Sequence, residues 1–176
     1  LMLARRKVTF QTMKFCVLET IKTFAMVYLI VIGAFIFNPF LAVTQLPADL
    51  ATFVASLNLS PTGVLILIIF GYIVLGTFLE GFAIMVLTIP IVFPMIVGMG
   101  YDPIWFGVLL VVVLEMSLIS PPLGLNVFVV KGIAPDVPMS EIFKGVLPFW
   151  GAMLVCTAIL IIFPEIALLL PKTMLR

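Results

Sequence analysis

The chain has no histidine, only two cysteines and few charges: Asp, Glu, Lys and Arg make up 10% of its 176 residues, against about 25% in soluble domains. Without histidine, the commonest catalytic base and metal ligand is missing. Cys16 and Cys156 lie far apart, each inside an apolar stretch, so there is no disulfide framework and no metal-ligand spacing. Both read as small apolar filler. What is abundant is hydrocarbon. Hydrophobic residues make up 64% of the chain, and the mean hydropathy is +1.40. So few charged side chains cannot coat the core of a soluble domain. The chain therefore reads as a polytopic membrane protein whose solvent is the lipid bilayer, with no part in binding nucleic acid. A secreted disulfide scaffold and a disordered tail are excluded as well. The start is not a signal peptide, because Arg5, Arg6 and Lys7 lead into a mixed stretch with Gln11, Lys14, Glu19 and Lys22. It opens on Leu1, and the chain reads as a fragment of a longer polypeptide.

The pattern along the chain predicts an all-α membrane protein. Residues 1–22 are basic and semi-polar and read as a cytoplasmic connector. Residues 23–43 are the first span; with its flank from about residue 18, the run can cross about 30 Å of hydrocarbon. Residues 46–59 carry Leu50, Phe53, Val54 and Leu57 at helical spacing on one side, the signature of an interfacial helix. Ser60-Pro61 then starts a helix, with serine as cap and proline at the first position. Apolar runs follow from Val64 to Leu79, from Ala83 to Val97 and from Ile104 to Ile119. A turn at Gly98–Pro103 separates the last two. Residues 138–145 read as a surface helix and 146–171 as the final span. Lysine and arginine are absent from 23 through 130 and return at Lys131 and Lys144. If residues 1–22 are cytoplasmic, the loops at 44–60 and 98–103 face outward. Charge alone leaves open whether 62–98 is two full spans or a re-entrant hairpin.

Two interruptions carry the chemistry. A membrane helix that stops midway frees backbone groups that lipid cannot satisfy, so those groups must face protein or a wet cavity. The first interruption is Leu79-Glu80-Gly81. The second is Ser120-Pro121-Pro122-Leu123-Gly124, where two prolines remove donors and Gly124 relaxes the backbone. The run from Ile104 to Ile119 is about 16 residues, roughly 24 Å of helix, which is short of full thickness. Glu80 and Glu115 are acids within apolar runs, and no lysine or arginine nearby can pair with them. A charge at the bilayer centre costs about 2.5–3.5 kcal/mol on insertion scales. Each therefore faces a polar interior, binds a cation, stays protonated or lies nearer the surface. Gly71, Gly76 and Gly81 recur every five residues, not the four of a small-residue packing face. Tyr72, Trp105 and Trp150 read as interfacial anchors or packing residues.

An ordered series of motifs carries a resemblance. It comprises Gly76-Thr77-Phe78-Leu79-Glu80, Thr88-Ile89-Pro90 with Pro94, Gly100-Tyr101-Asp102-Pro103-Ile104-Trp105-Phe106-Gly107, Ser120-Pro121-Pro122-Leu123-Gly124, Leu147-Pro148-Phe149 and Phe163-Pro164. The series resembles the C-terminal half of the large permease subunit (DctM type) of TRAP transporters, in the ion transporter superfamily. The resemblance implies one half of an inverted-repeat, elevator-type secondary transporter driven by a sodium gradient. It would take up organic anions such as C4-dicarboxylates or sialic acid. A periplasmic binding protein would deliver them, a small membrane subunit would pack alongside, and the site would be the inner (plasma) membrane of a bacterial or archaeal cell. It implies no cofactor beyond sodium as coupling ion. Residues 62–98 become a re-entrant hairpin with its tip at Leu79-Glu80-Gly81, and 104–130 a broken helix. Backbone carbonyls near Gly81 and Ser120 would hold the sodium. Leu79, Glu80, Gly81, Ser120, Pro121, Pro122, Gly124 and Asn126 are the implied substrate- and ion-binding positions. The family usually has Thr where Ser120 stands, which keeps the hydroxyl, and Asp near the hairpin tip where Glu80 is one methylene longer. The first hairpin and first broken helix are missing, so this chain alone is not expected to transport.

Two other readings follow from the same residues. A structural or assembly subunit would need its breaks to be mere turns. An intramembrane enzyme would need a nucleophile–base pair or a metal cluster, and without histidine only Glu80 with Glu115, or a serine lacking an evident base, is available.

Overall fold

A computed structural model describes residues 9–57, 59–122 and 124–174. Arg5, Arg6, Lys7 and Leu123, which entered the sequence reading, lie outside the described residues. Eight helices and no strand occur among the described residues: α1 (Phe10–Thr44), α2 (Leu46–Ser56), α3 (Pro61–Phe78), α4 (Gly81–Gly98), α5 (Pro103–Leu118), α6 (Leu125–Ile133), α7 (Met139–Ile162) and α8 (Glu165–Met174). The chain divides into two compact units, one up to Val43 and one from Thr44 onward. Stretches within α1, α3, α4 and α7 are long and apolar enough to cross a membrane.

The first unit is essentially α1, a helix of 35 residues. The separate connector over 1–22 and span over 23–43 give way to one continuous helix from Phe10. The semi-polar residues up to Lys22 are good helix formers, and nothing there interrupts the backbone ladder. Pro39 lies inside the helix, where it removes one hydrogen bond without ending the element.

In the second unit, α5 is the hub, packed by α3, α4, α6, α7 and α8. Its start is fixed locally. The Asp102 carboxylate accepts from the backbone N–H groups of Ile104 and Trp105 at 2.8 and 3.1 Å, and Pro103 occupies the first turn. Trp105, Phe106, Leu109, Leu110, Val113 and Leu114 are buried and form the centre of the apolar core with Leu65, Tyr72, Ile84 and Ile96 from α3 and α4. At its start, the Trp105 indole donates to the Leu160 carbonyl of α7 at 2.7 Å.

The helices α3 and α4 form a hairpin. Ser60 caps α3 by accepting from the Gly63 N–H at 3.2 Å. Midway along the arms, the Tyr72 hydroxyl and the Thr88 hydroxyl share a 2.7 Å hydrogen bond, and Thr88 also donates to the Ile84 carbonyl. Pro90 and Pro94 are accommodated within α4.

The end of the chain corrects two boundaries. The surface helix over 138–145 and the beginning of the final span are one helix, α7, running from Met139 through Pro148 to Ile162. One internal proline costs a single ladder bond and does not stop it. The span over 146–171 instead breaks at Phe163-Pro164, where Phe163 leaves helical geometry (φ −122°, ψ 73°) as residues before proline tend to, and α8 follows.

Candidate functional site

The tip of the α3–α4 hairpin is made by two extended residues, Leu79 (φ −117°, ψ 154°) and Glu80 (φ −70°, ψ 138°). They reverse the chain and end α3. Among the described residues, the carbonyls of Gly76, Thr77 and Phe78 in its last turn, and of Leu79, receive no backbone N–H. Glu80 is the N-cap of α4: its carboxylate accepts from the Ala83 N–H at 3.0 Å. A carboxylate there satisfies an orphan donor and sits at the positive end of the helix dipole.

The second interruption lies between α5 and α6. Leu118 is the last residue of α5, and Ile119, Ser120, Pro121 and Pro122 are non-helical. The Pro121–Pro122 peptide is cis. Gly124 takes a left-handed conformation (φ 56°), and a Cβ there would stand 3.1 Å from the Ser120 carbonyl oxygen. Both facts call for glycine. The carbonyls of Leu118, Ile119 and Ser120 receive no backbone N–H among the described residues. Ser120 is 2% exposed. Its hydroxyl donates to the Met116 carbonyl at 2.8 Å and accepts from the Trp150 indole of α7 at 2.7 Å. The helix α6 begins with no side-chain cap, so the N–H groups of its first turn have no side-chain acceptor. Asn126 stands exposed in that first turn and makes no side-chain hydrogen bond among the described residues.

The structure brings the two interruptions together. Gly76, in the last turn of α3, lies so close to α5 that a methyl group added to it would overlap the Ser117 Cβ and Oγ, and would come within 3.5 Å of the Ser117 Cα. Gly81, at the start of α4, sits where a Cβ would lie 3.6 Å from the Leu118 side chain. The hairpin tip is therefore seated on the final turn of α5, just before Ser120. A pocket of about 230 Å³ opens beside this contact, and Glu80, Gly81, Glu115 and Leu118 are among its walls. It places the two acids singled out from the sequence on one cavity. A larger cavity of about 620 Å³ lies elsewhere, between α2, the start of α3 and the end of α4, and its walls carry no charged side chain. Among the described residues, no group of three or more Cys, Asp or Glu side chains is arranged to hold a metal ion. The polar atoms on offer at the interruptions are backbone carbonyls, the Ser120 hydroxyl and the carboxylates of Glu80 and Glu115.

Of the sequence-derived positions, Leu79, Glu80 and Gly81 form the hairpin tip, and Ser120, Pro121, Pro122 and Gly124 form the break that follows α5. Asn126 lies beyond them on α6. Sequence reasoning missed Gly76, Ser117 and the contact of Trp150 with Ser120. The glycine spacing had pointed away from a packing face. Gly71 indeed has nothing within 4 Å of an added Cβ, while Gly76 is crowded. The only signal for it was local: Gly76 and Thr77 are small residues ending an otherwise bulky apolar run.

Comparison with known proteins gives a consistent result. The family model described as "Tripartite ATP-independent periplasmic transporter, DctM component" matches residues 1–166. The sialic acid TRAP transporter large permease protein SiaM of Vibrio cholerae is 34% identical over 157 residues, covering 89% of this chain and 36% of that protein. The C4-dicarboxylate TRAP transporter large permease protein DctM of Pseudomonas aeruginosa is 34% identical over 155 residues, with 88% and 36% covered. The isethionate TRAP transporter permease protein DctMQ of Oleidesulfovibrio alaskensis is 32% identical over 151 residues, with 86% and 24% covered. The matched part of the chain thus spans between about a quarter and little more than a third of the length of these relatives.

Proposed function

The chain belongs to the DctM family of tripartite ATP-independent periplasmic transporters, and from that premise we propose that it forms the hairpin and broken-helix part of a sodium-coupled importer of organic anions. The family consists of transporter permeases and not of enzymes. The transporter acts in the inner membrane, together with a small membrane subunit, on anions delivered by a periplasmic binding protein. The relatives named for sialic acid, C4-dicarboxylate and isethionate support an acidic organic substrate, since carboxylate or sulfonate is common to all three.

One observation carries the reading: the hairpin tip is seated against the last turn of α5, so two sets of carbonyls that receive no backbone N–H among the described residues end in one neighbourhood. Carbonyl oxygens suit a hard cation such as sodium, and freed carbonyls of discontinuous helices are a recurrent cation site in secondary transporters. The Ser120 hydroxyl has one donor and two lone pairs. Met116 takes the proton and Trp150 one lone pair, leaving one lone pair for the ion. The N-terminal turn of α6, which has no side-chain cap, supplies backbone N–H groups and a positive dipole end suited to an anion. Cation and anion thereby stabilise each other's binding, which is what coupled transport requires.

The test is uptake into proteoliposomes holding the full-length permease that contains this segment, its small subunit and its binding protein. Accumulation of labelled organic anion under an inward sodium gradient, lost when potassium replaces sodium, supports the proposal. Equal uptake under both gradients refutes sodium coupling, and no uptake of any tested carboxylate or sulfonate refutes the substrate class.

A further inference from the structure

The two tryptophans of the chain make reciprocal hydrogen bonds between α5 and α7. Trp105, at the start of α5, donates to the Leu160 carbonyl near the end of α7. Trp150, on α7, donates to the Ser120 hydroxyl just past the end of α5. The bonds are equal in length at 2.7 Å and alike in chemistry. They differ in what they touch. Trp105 binds a helix carbonyl far from either interruption. Trp150 binds the one buried hydroxyl within the second interruption.

We propose that Trp150 is a positioning residue for the coupling cation, acting through Ser120. The inference rests on the sodium-coupled reading above and adds to it a residue outside both the hairpin and the broken helix. A buried serine hydroxyl bonded only to Met116 can still rotate between acceptors. The indole N–H removes that freedom, because it occupies one lone pair while Met116 holds the proton. The remaining lone pair is then fixed in direction, and the hydroxyl is organised before the ion arrives. Preorganisation of this kind changes affinity for the ion more than the rate once the site is filled. It also ties α7 to the break, so a displacement of α7 that lengthens the indole contact releases the hydroxyl.

The experiment compares two like substitutions in the full-length permease, reconstituted with its small subunit and binding protein. Trp150→Phe and Trp105→Phe each keep an aromatic ring and delete one indole N–H between the same two helices. Uptake, normalised to folded protein, is followed as a function of sodium concentration. Trp150→Phe is expected to raise the half-saturating sodium concentration by about threefold to tenfold, the scale of one net hydrogen bond. Trp105→Phe is expected to leave the half-saturating concentration at its original value, whatever it does to thermal stability. Adding Trp150→Phe to Ser120→Ala is expected to have no further effect on sodium dependence. An unshifted sodium curve for Trp150→Phe, an equal shift for Trp105→Phe, or effects of Trp150→Phe and Ser120→Ala that simply multiply would each overturn the role of Trp150. Sodium-independent uptake by the unaltered protein would overturn the reading on which it rests as well, so the two failures are distinct.

Discussion

Position 76 has no room for a side chain, and this decides how the hairpin sits. A Cβ there would collide with the side chain of Ser117, which is 0% exposed and cannot swing aside. Ser117 is further fixed by donating to the Leu114 carbonyl at 2.6 Å. Gly76→Ala should therefore push the hairpin off α5, at a cost of about 1–3 kcal/mol as for other overpacked cores. Thermal unfolding of the purified permease in detergent checks it. Ser117→Gly should restore much of the loss in the double variant, whereas Ser117→Ala, which keeps the offending Cβ, should not. A Gly76→Ala protein as stable as the parent would show that the contact is loose. None of this was legible in the sequence, because a close approach between residues 76 and 117 depends on tertiary packing. The Ser120 hydroxyl was legible as a polar group in an apolar setting. Its engagement by Trp150 was not, since 30 residues separate the partners.

Among the helices, the local rules did most of the work. Ser60 and Asp102 cap α3 and α5 where serine–proline and aspartate–proline pairs announce helix starts. The reversal at Leu79-Glu80 and the break at Ser120–Gly124 fall where a lone glycine after an acid and a double proline interrupt apolar runs. Proline was a poorer guide on its own. Pro39, Pro90, Pro94, Pro148 and Pro171 all lie inside helices, whereas α6 and α7 end where Ala134 and Phe163, the residues before Pro135 and Pro164, leave helical geometry. A single lost ladder bond is tolerated in a membrane helix, where the other backbone bonds of the element persist. Two consecutive prolines remove two bonds and force the residue before them out of helical geometry. The break is therefore expected to depend on Pro121 and Pro122 together. Pro121→Ala with Pro122→Ala should let α5 continue toward α6 and tie up the carbonyls of Leu118 to Ser120. Sodium-driven uptake should then disappear although the protein inserts and assembles with its small subunit. Normal sodium-dependent uptake by this double variant would show that the free carbonyls are not needed.

For the chain as a whole, composition alone established the class. With 64% hydrophobic residues, the chain leaves large apolar side chains such as Phe70 and Val111 on the surface of the second unit itself, as suits surroundings of hydrocarbon or apolar protein. The multi-pass membrane character follows. The way two helix ends come to lie side by side does not follow from composition, because it needs α5 to be short and the hairpin arms to reach its final turn. The same packing accounts for the position of Glu80 and Glu115 on one cavity, which their spacing in sequence does not reveal.

The most direct measurement uses thiol labelling. In an otherwise cysteine-free permease, with Cys16 and Cys156 replaced by Ala, Leu79→Cys at the hairpin tip and Asn126→Cys just past the Ser120 break are introduced singly. Both side chains are exposed, so a thiol at either position can meet the reagent. Each protein, in membrane vesicles, is exposed to a water-soluble maleimide with sodium or potassium present. Both positions should react from water in potassium and be protected by sodium at the concentrations that drive uptake. Labelling at either position that proceeds at the same rate in the two salts would contradict a shared cation site at the hairpin tip and the Ser120 break.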